Sequence, residues 1–243
     1  MKRLFHILLL LIFIPVNASA GLYAGRITKT EGRVKILTDD NLRGEIVRTT
    51  PEEIPVNSRV KTYRKSKAFV ILSEKTHIVL LEKSVLFIEN SKTIDQENGT
   101  ILYKIKKYGG TSGITVKTPV SIIGVKGTMF AVTVNRQNAD IFLKKGSLSI
   151  RSPEKEFEVY RLKTLKEFSD FQKEFKQYQN RTMEEFKNYK KKIQEEFLFY
   201  TREFVLPPGK SVSIKGNKVY IKDTIPEEIE ENFKLFEYFG GSQ

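Results

Sequence analysis

Cysteine and tryptophan are absent from this 243-residue chain, and histidine occurs only twice. Without cysteine there is no disulfide framework, no thiol nucleophile and no acceptor for a lipid anchor. His6 sits in the first apolar run, so a Ser-His-Asp arrangement would have to use His77, which lies in an apolar strand-like stretch. One histidine and no cysteine cannot assemble the usual zinc ligand sets. A D-x-D-x-D-G calcium loop is missing, and so is the G-x-x-x-x-G-K-[ST] phosphate loop. Asp39-Asp40 and Glu52-Glu53 are adjacent pairs, which on a strand point to opposite faces. These absences predict a protein that is not an enzyme, with no cofactor and no metal.

Long apolar runs are scarce too. Lys2 and Arg3 precede the apolar run Leu4–Ile14, and Ala18-Ser19-Ala20 follows as a small-x-small cleavage pattern. The run is short of the roughly 20 residues that a spanning helix needs. The expectation is a signal peptide over residues 1–20, export to the periplasm or beyond, and no transmembrane segment after cleavage. The formal charge of +13 is uneven: residues 21–156 hold 24 basic and 14 acidic side chains, residues 157–204 hold 11 and 9, and residues 205–243 hold 5 and 6. In an exported protein such a charge suits an anionic envelope polymer or lipid head group rather than nucleic acid, and it also serves solubility.

Residues 25–150 show period-two alternation in short bursts bounded by Gly, Pro or Asn/Asp clusters, the pattern of half-buried strands. Ile101, Tyr103 and Ile105 form one face of such a burst, and Phe130, Val132 and Val134 one face of another. Ala68–Leu72 and Ile78–Leu81 are apolar on both faces, as central strands covered on both sides are. In this setting Gly124-Val125-Lys126-Gly127, with strand patterns before and after it, reads as a corner between strands, and Pro119 as an edge or bend.

The stretch "VKTPVSIIGVKGTMFAVTV" resembles the signature of FecR-family domains, in which a Thr-Pro segment leads into Val-x-Gly-Thr-x-Phe-x-Val. Pro119, Gly124, Gly127, Thr128, Phe130 and Val132 stand at the matching positions, and "ADIFLKKGSLSI" is similar to the family's closing hairpin, with Gly146 at its turn. The likeness covers about residues 24–151 and departs at Ser73-Glu74-Lys75, where members usually show an Asp-Gly-Ser turn. It implies a short-strand β-sandwich, roll or solenoid-like domain, with these motif residues in structural roles. Signalling relatives join this domain to a cytoplasmic anti-sigma segment and a membrane span. The leader here points instead to the stand-alone exported type, with accessory service to such signalling as an alternative.

Glycine and proline are both missing between Pro153 and Pro207. Within that interval Phe168, Phe171, Phe175, Tyr178, Phe186, Tyr189, Ile193, Phe197, Tyr200 and Phe204 recur at a helical period once Thr182 is counted. The spacing predicts a long amphipathic helix, or a helical hairpin broken near Asn180, as an insertion over 157–204, with Phe168 to Phe197 as the partner-contact stripe. Beyond it, Gly216-Asn217 flanked by Val212/Ile214 and Val219/Ile221 predicts a tight hairpin in which Ile214 faces Val219 and Val212 faces Ile221.

The resulting expectation is a FecR-like β-domain over 21–156, the helical insertion over 157–204, a returning β-hairpin over 205–223, and a short helix and tail over 224–243. Thr224 and Glu227 would cap that last helix. Functionally the chain reads as a binding or scaffolding module that meets a protein partner or a second copy of itself. The alternative reading is a binder of anionic envelope polymer or lipid head groups.

Overall fold

The computed structural model describes residues 23–73, 76–107, 113–161 and 198–240. Nineteen strands in two sheets dominate these residues. In chain order they are β1 Tyr23–Glu31, β2 Val34–Thr38, β3 Asn41–Ile46, β4 Glu52–Pro55, β5 Ser58–Thr62, β6 Lys67–Ser73, β7 Thr76–Leu80, β8 Val85–Ile88 and β9 Thr93–Ile105. They continue as β10 Ile114–Thr118, β11 Ser121–Val125, β12 Met129–Asn135, β13 Asn138–Lys145, β14 Leu148–Arg151, β15 Phe157–Arg161, β16 Leu198–Thr201, β17 Glu203–Leu206, β18 Ser211–Lys215 and β19 Lys218–Lys222.

The first sheet runs β4-β1-β6-β7-β9-β12-β13-β18-β19-β15-β16. The second runs β3-β2-β5-β8-β9-β10-β11-β14-β17. Strand β9 belongs to both: Ile94–Asn98 pairs with β8 and Ile101–Ile105 with β7. Gly99, at φ +85°, stands between the two stretches, where an added Cβ would lie 2.5 Å from the Ser84 Cα. Inward residues of both sheets, such as Val34, Val60, Leu86 and Ile150 from one and Ile27, Val70, Ile78 and Phe130 from the other, form a single core. The expected β class and the alternation behind it therefore fit.

The double-sided apolar runs have their own explanation. On the outer face of the first sheet, Phe69, Val79, Leu102, Ala131 and Phe142 are successive cross-strand neighbours. A C-terminal helical segment lies over this row, made of α1 Glu227–Asn232 and a 3-10 turn from Phe233 to Gly240. Phe233 and Phe236 bury their rings there, the Tyr238 hydroxyl donates to Thr28 O at 3.2 Å, and Lys144 pairs with Glu230 at 2.6 Å. Central strands are thus covered by the opposing sheet on one side and by this segment on the other.

The long helical insertion is corrected at both of its ends. Phe157–Arg161 and Leu198–Thr201 pair as antiparallel strands, with Phe157 opposite Thr201 and Tyr160 opposite Leu198. Phe204, counted in the helical stripe, lies in β17 opposite Ile150 and packs edge-on to Phe157 at 5.7 Å. Alternation is the local cause: Phe157 and Val159 are buried while Glu158 lies between them. The 14 residues at the C terminus are the helical part of the described chain. Phe168, Phe171, Phe175, Tyr178, Phe186, Tyr189, Ile193 and Phe197 lie outside the described residues. The capping prediction is also revised. Pro226 takes the N-cap position without a side-chain hydrogen bond, and the Thr224 carbonyl instead accepts from Ser211 Oγ at 2.7 Å.

The expected hairpin has the predicted register, Val212 opposite Ile221 and Ile214 opposite Val219. Among the described residues no helix is long and apolar enough to cross a membrane.

Candidate functional site

Three regions could carry function, and the first is the glycine corner. Pro119 and Val120 form a two-residue turn between β10 and β11, held by the Thr118 hydroxyl, which accepts from the Ser121 N–H at 2.9 Å. Gly127 lies between β11 of the second sheet and β12 of the first, so the corner is where the chain changes layer. At φ +70° its added Cβ would sit 2.6 Å from Lys107 Cβ. Gly146, at φ +91° in the turn after β13, has the Gly127 carbonyl and the Thr128 methyl at 2.6 and 2.7 Å from its own added Cβ. Gly124 differs: its φ is unexceptional, and an added Cβ would make ordinary contact with Ser149. Phe130 stacks on Tyr103 at 4.8 Å, and Val132 is fully buried. Gly127, Gly146 and Phe130 pack closely where the chain passes between the layers, and none of the motif residues lines the groove that forms the second region.

The second region is a groove of about 940 Å³ beside the C-terminal segment, lined by Tyr23, Arg26, Glu53, His77, Lys106 and Phe239 among others. His77 stacks on Phe239 at 4.4 Å and 13°, and its Nδ1 is buried without a partner. Burial, reinforced by the nearby Lys106 and Lys104 ammonium groups, brings its pKa down to about 4. The imidazole is therefore neutral at ordinary pH, and its charged neighbours are cations, not the carboxylate that orients a catalytic base. No cluster of three metal-ligating side chains occurs among the described residues.

That pKa has a consequence for stability. The unfolded chain takes a proton on His77 near pH 6.5, and the native protein does not until about pH 4. Stability from this group is complete above about pH 6.5 and is lost as pH falls towards 4, by roughly 2 to 3 kcal/mol. Urea melts of His77→Phe should show a shallower loss across that window than the wild type. An unchanged pH slope would place the proton elsewhere.

The third region comprises the sheet edges. Among the described residues, β4 and β16 are the outermost strands of the first sheet, and β3 and β17 those of the second. The large apolar side chains left in water among the described residues are Tyr23, Leu42, Ile46, Tyr200 and Val205. Leu42 and Ile46 are on β3, Tyr200 on β16 and Val205 on β17, so four of these five stand on outermost strands. Tyr200, 62% exposed, lies across from Glu158 and close to the stacked pair Tyr160–Tyr220, whose rings are 5.1 Å apart. Ser149 Oγ, on β14, donates to the carboxylate of Glu203 on β17. Tyr200 was visible in the sequence only as part of a helical stripe. The roles of Leu42, Ile46 and Val205 depend on knowing which strands are unpaired.

Comparison with known proteins bears on the first region. Residues 58–149 match the family model described as FecR protein. Two solved structures of a candidate anti-sigma factor from Parabacteroides distasonis ATCC 8503, at 1.65 and 2.50 Å resolution, are similar to this chain. They give TM-scores of 0.45 and 0.44 at 11% and 12% identity, each over 75% of this chain. The chain spans 65% and 64% of those two chains, less than two thirds of their length. No curated protein matches. The matched residues run from β5 into β14 and take in Gly127, Thr128, Phe130 and Gly146, so this part of the chain is similar to a FecR domain.

Proposed function

We propose that this protein is a non-enzymatic binding or scaffolding module of the cell envelope, and that its contact surface is the β16–β17 end of the sandwich. The observation that carries the reading is the placement of exposed apolar side chains on the outermost strands of the two sheets among the described residues. An outermost strand such as β17 offers backbone N–H and C=O groups for strand addition, and Tyr200 and Val205 add apolar surface beside it. Two further features support it. The leader pattern of residues 1–20 is that of export, and Gly127 and Gly146 lie in close backbone packing between the layers, outside the groove. Accessory service to transmembrane signalling is compatible with such a module and would name its partner.

The test is affinity capture from an envelope extract with the wild type and with Tyr200→Lys/Val205→Lys. Both chains should fold alike, since neither side chain is in the core. The reading expects a discrete protein captured by the wild type and depleted at least ten-fold by the variant, equivalent to about 1.4 kcal/mol or more. Equal recovery by both chains would remove this end as the contact surface.

A further inference from the structure

The outer face of the second sheet, between β3 and β8, carries cations that form no ion pair among the described residues. Val34, Ile36, Val60 and Thr62 point into the core, so Lys35 and Lys61 point out. These two lysines are direct cross-strand partners. Like charges placed this way destabilise a sheet. Next to them Tyr63 lies between two further contacts, the Arg33 guanidinium 4.5 Å and the Lys61 ammonium 5.4 Å from its ring centre. Adjoining turns stack on this end: Tyr63 N donates to Arg33 O, and Lys83 N to Tyr63 O. They add Arg64, Lys65 and Lys83, all exposed.

Arg33, Lys35, Lys61, Arg64, Lys65 and Lys83 are absent from every ion pair of the described residues, although lysines elsewhere find partners at Glu31, Glu89, Glu230 and Asp223. Lys65 and Lys83 also hold left-handed backbone, at φ +54° and +56°, where glycine or asparagine would sit with less strain. The local carboxylates are occupied or turned away. Glu82 accepts from the Lys65 backbone N–H at 2.7 Å, Glu97 pairs with Arg59, and Glu45, opposite Ile36, shares the inward side of its strand. Asp39 and Asp40 occupy the turn at the far end of β2.

Ile46 decides what kind of anion this face suits. It is 45% exposed and is the cross-strand partner of Lys35, so an uncovered aliphatic side chain stands within the cationic face. Leu42, 76% exposed, is on the same side of β3. A soluble polyanion has no use for these two side chains. A lipid interface takes up both kinds of group, with ammonium and guanidinium groups at the phosphates, aliphatic side chains at the acyl boundary, and the amphipathic Tyr63 ring between them.

We infer that this face docks the protein on an anionic membrane surface. The inference rests on the reading of the protein as an envelope binding module, but it uses the β3 end of the second sheet, whereas Val205 lies on β17 at the other end of that sheet and Tyr200 on β16 of the first, so either proposal can fail alone. Docked there, the module would keep its β16–β17 end free for a protein.

The experiment is flotation of the full chain with phosphatidylcholine vesicles, with and without phosphatidylglycerol. Any contribution of residues 1–20 is common to all variants, so the differences between variants read this face. Binding should require phosphatidylglycerol and fall steeply with salt. Lys35→Gln/Lys61→Gln should weaken it about thirty-fold, on the order of five-fold per cation. Lys65→Gly/Lys83→Gly should weaken it similarly while raising the melting temperature, because the backbone strain is relieved. That combination separates a lost surface from a lost fold. Ile46→Ser should weaken vesicle binding but leave binding to soluble polyphosphate unchanged. Wild-type binding by the lysine variants would overturn the inference. So would an Ile46→Ser chain that still floats as the wild type does, which would make the face a site for soluble polyanions.

Discussion

Replacing Gln96 with leucine should cost this protein about 3 to 5 kcal/mol, a large share of the 5–15 kcal/mol that holds a typical domain together. Gln96 is fully buried in the part of β9 that belongs to the second sheet, three residues before the strand turns into the first. Its Nε2 donates to the carbonyls of Gly99 and Val132, each at 2.8 Å, and its Oε1 accepts from the Tyr103 hydroxyl at 2.8 Å. One side chain thus ties the bend at Gly99 to β12 and to the far half of its own strand. Leucine fills nearly the same space but takes the acceptor away from a buried hydroxyl and one donor away from each of two carbonyls. The low-dielectric surroundings that raise the Tyr103 pKa, chiefly through burial and then through Asp95, make each unpaired group expensive. Tyr103→Phe alone strands only the amide oxygen and should cost about 1 to 2 kcal/mol. The double variant Gln96→Leu/Tyr103→Phe should recover part of the loss, because the hydroxyl goes with its acceptor. Urea denaturation of the three variants gives the coupling directly. Additive costs would mean that the network does not act as a unit.

The second large effect belongs to the C-terminal segment. Phe233 and Phe236 are 4% and 2% exposed over the apolar row from Phe69 to Phe142. Phe236→Ala should cost about 3 to 5 kcal/mol, and Phe233→Ala/Phe236→Ala close to twice that. Truncation before Glu227 would uncover five strands at once. The shortened chain should bind a hydrophobic dye and aggregate, since a contiguous apolar face of that kind is not tolerated in water. Lys144→Gln, which breaks the pair with Glu230, should cost less than about 1 kcal/mol, because both groups are partly in solvent. A truncated chain that remained monomeric and melted like the wild type would show the segment to be an accessory, not a third layer.

These two cases also mark what can be read from the sequence. Ala68–Leu72 and Ile78–Leu81 announced burial on both faces, because unbroken apolar runs leave no side for water. What covers the second face was not legible. Phe233 and Phe236 lie over 150 residues away, and a six-residue helix gives a weak periodic signal. The register of the β18–β19 hairpin was legible, because Gly216-Asn217 fixes a two-residue turn and the alternation does the rest. The corner at Gly127 was legible as a corner. Its partner Gly146 was legible only as a second turn, since packing between the two needs the third dimension. Around residue 200 the longer pattern misled. Tyr200 and Phe204 continue a helical spacing from Phe168 onward, yet both lie in strands, where Phe204 reaches the core and Tyr200 stays in water. Phe157/Val159 already showed a period of two, and over a few residues such alternation is a better guide than a stripe extrapolated to its flanks. Gln96 gave no signal, because a lone glutamine in an alternating strand looks like any solvated position.

The candidate surfaces divide in the same way. Composition and charge offered an anionic partner as an alternative, but only strand pairing shows that Lys35 faces Lys61 with Ile46 beside them, and that Tyr200 and Val205 stand on outermost strands of the described sheets. The β-scaffold gathers into two ends what the sequence scatters over 160 residues.

The most direct test of the binding-module reading is photo-crosslinking in intact cells, with a photoreactive residue placed in turn at Tyr200, Val205 and, as a control on a different surface, Lys92. The account predicts one discrete crosslinked protein from the first two positions and none from the third. Crosslinks of equal pattern from all three positions, or none from Tyr200 and Val205 in cells that express the protein normally, would contradict it.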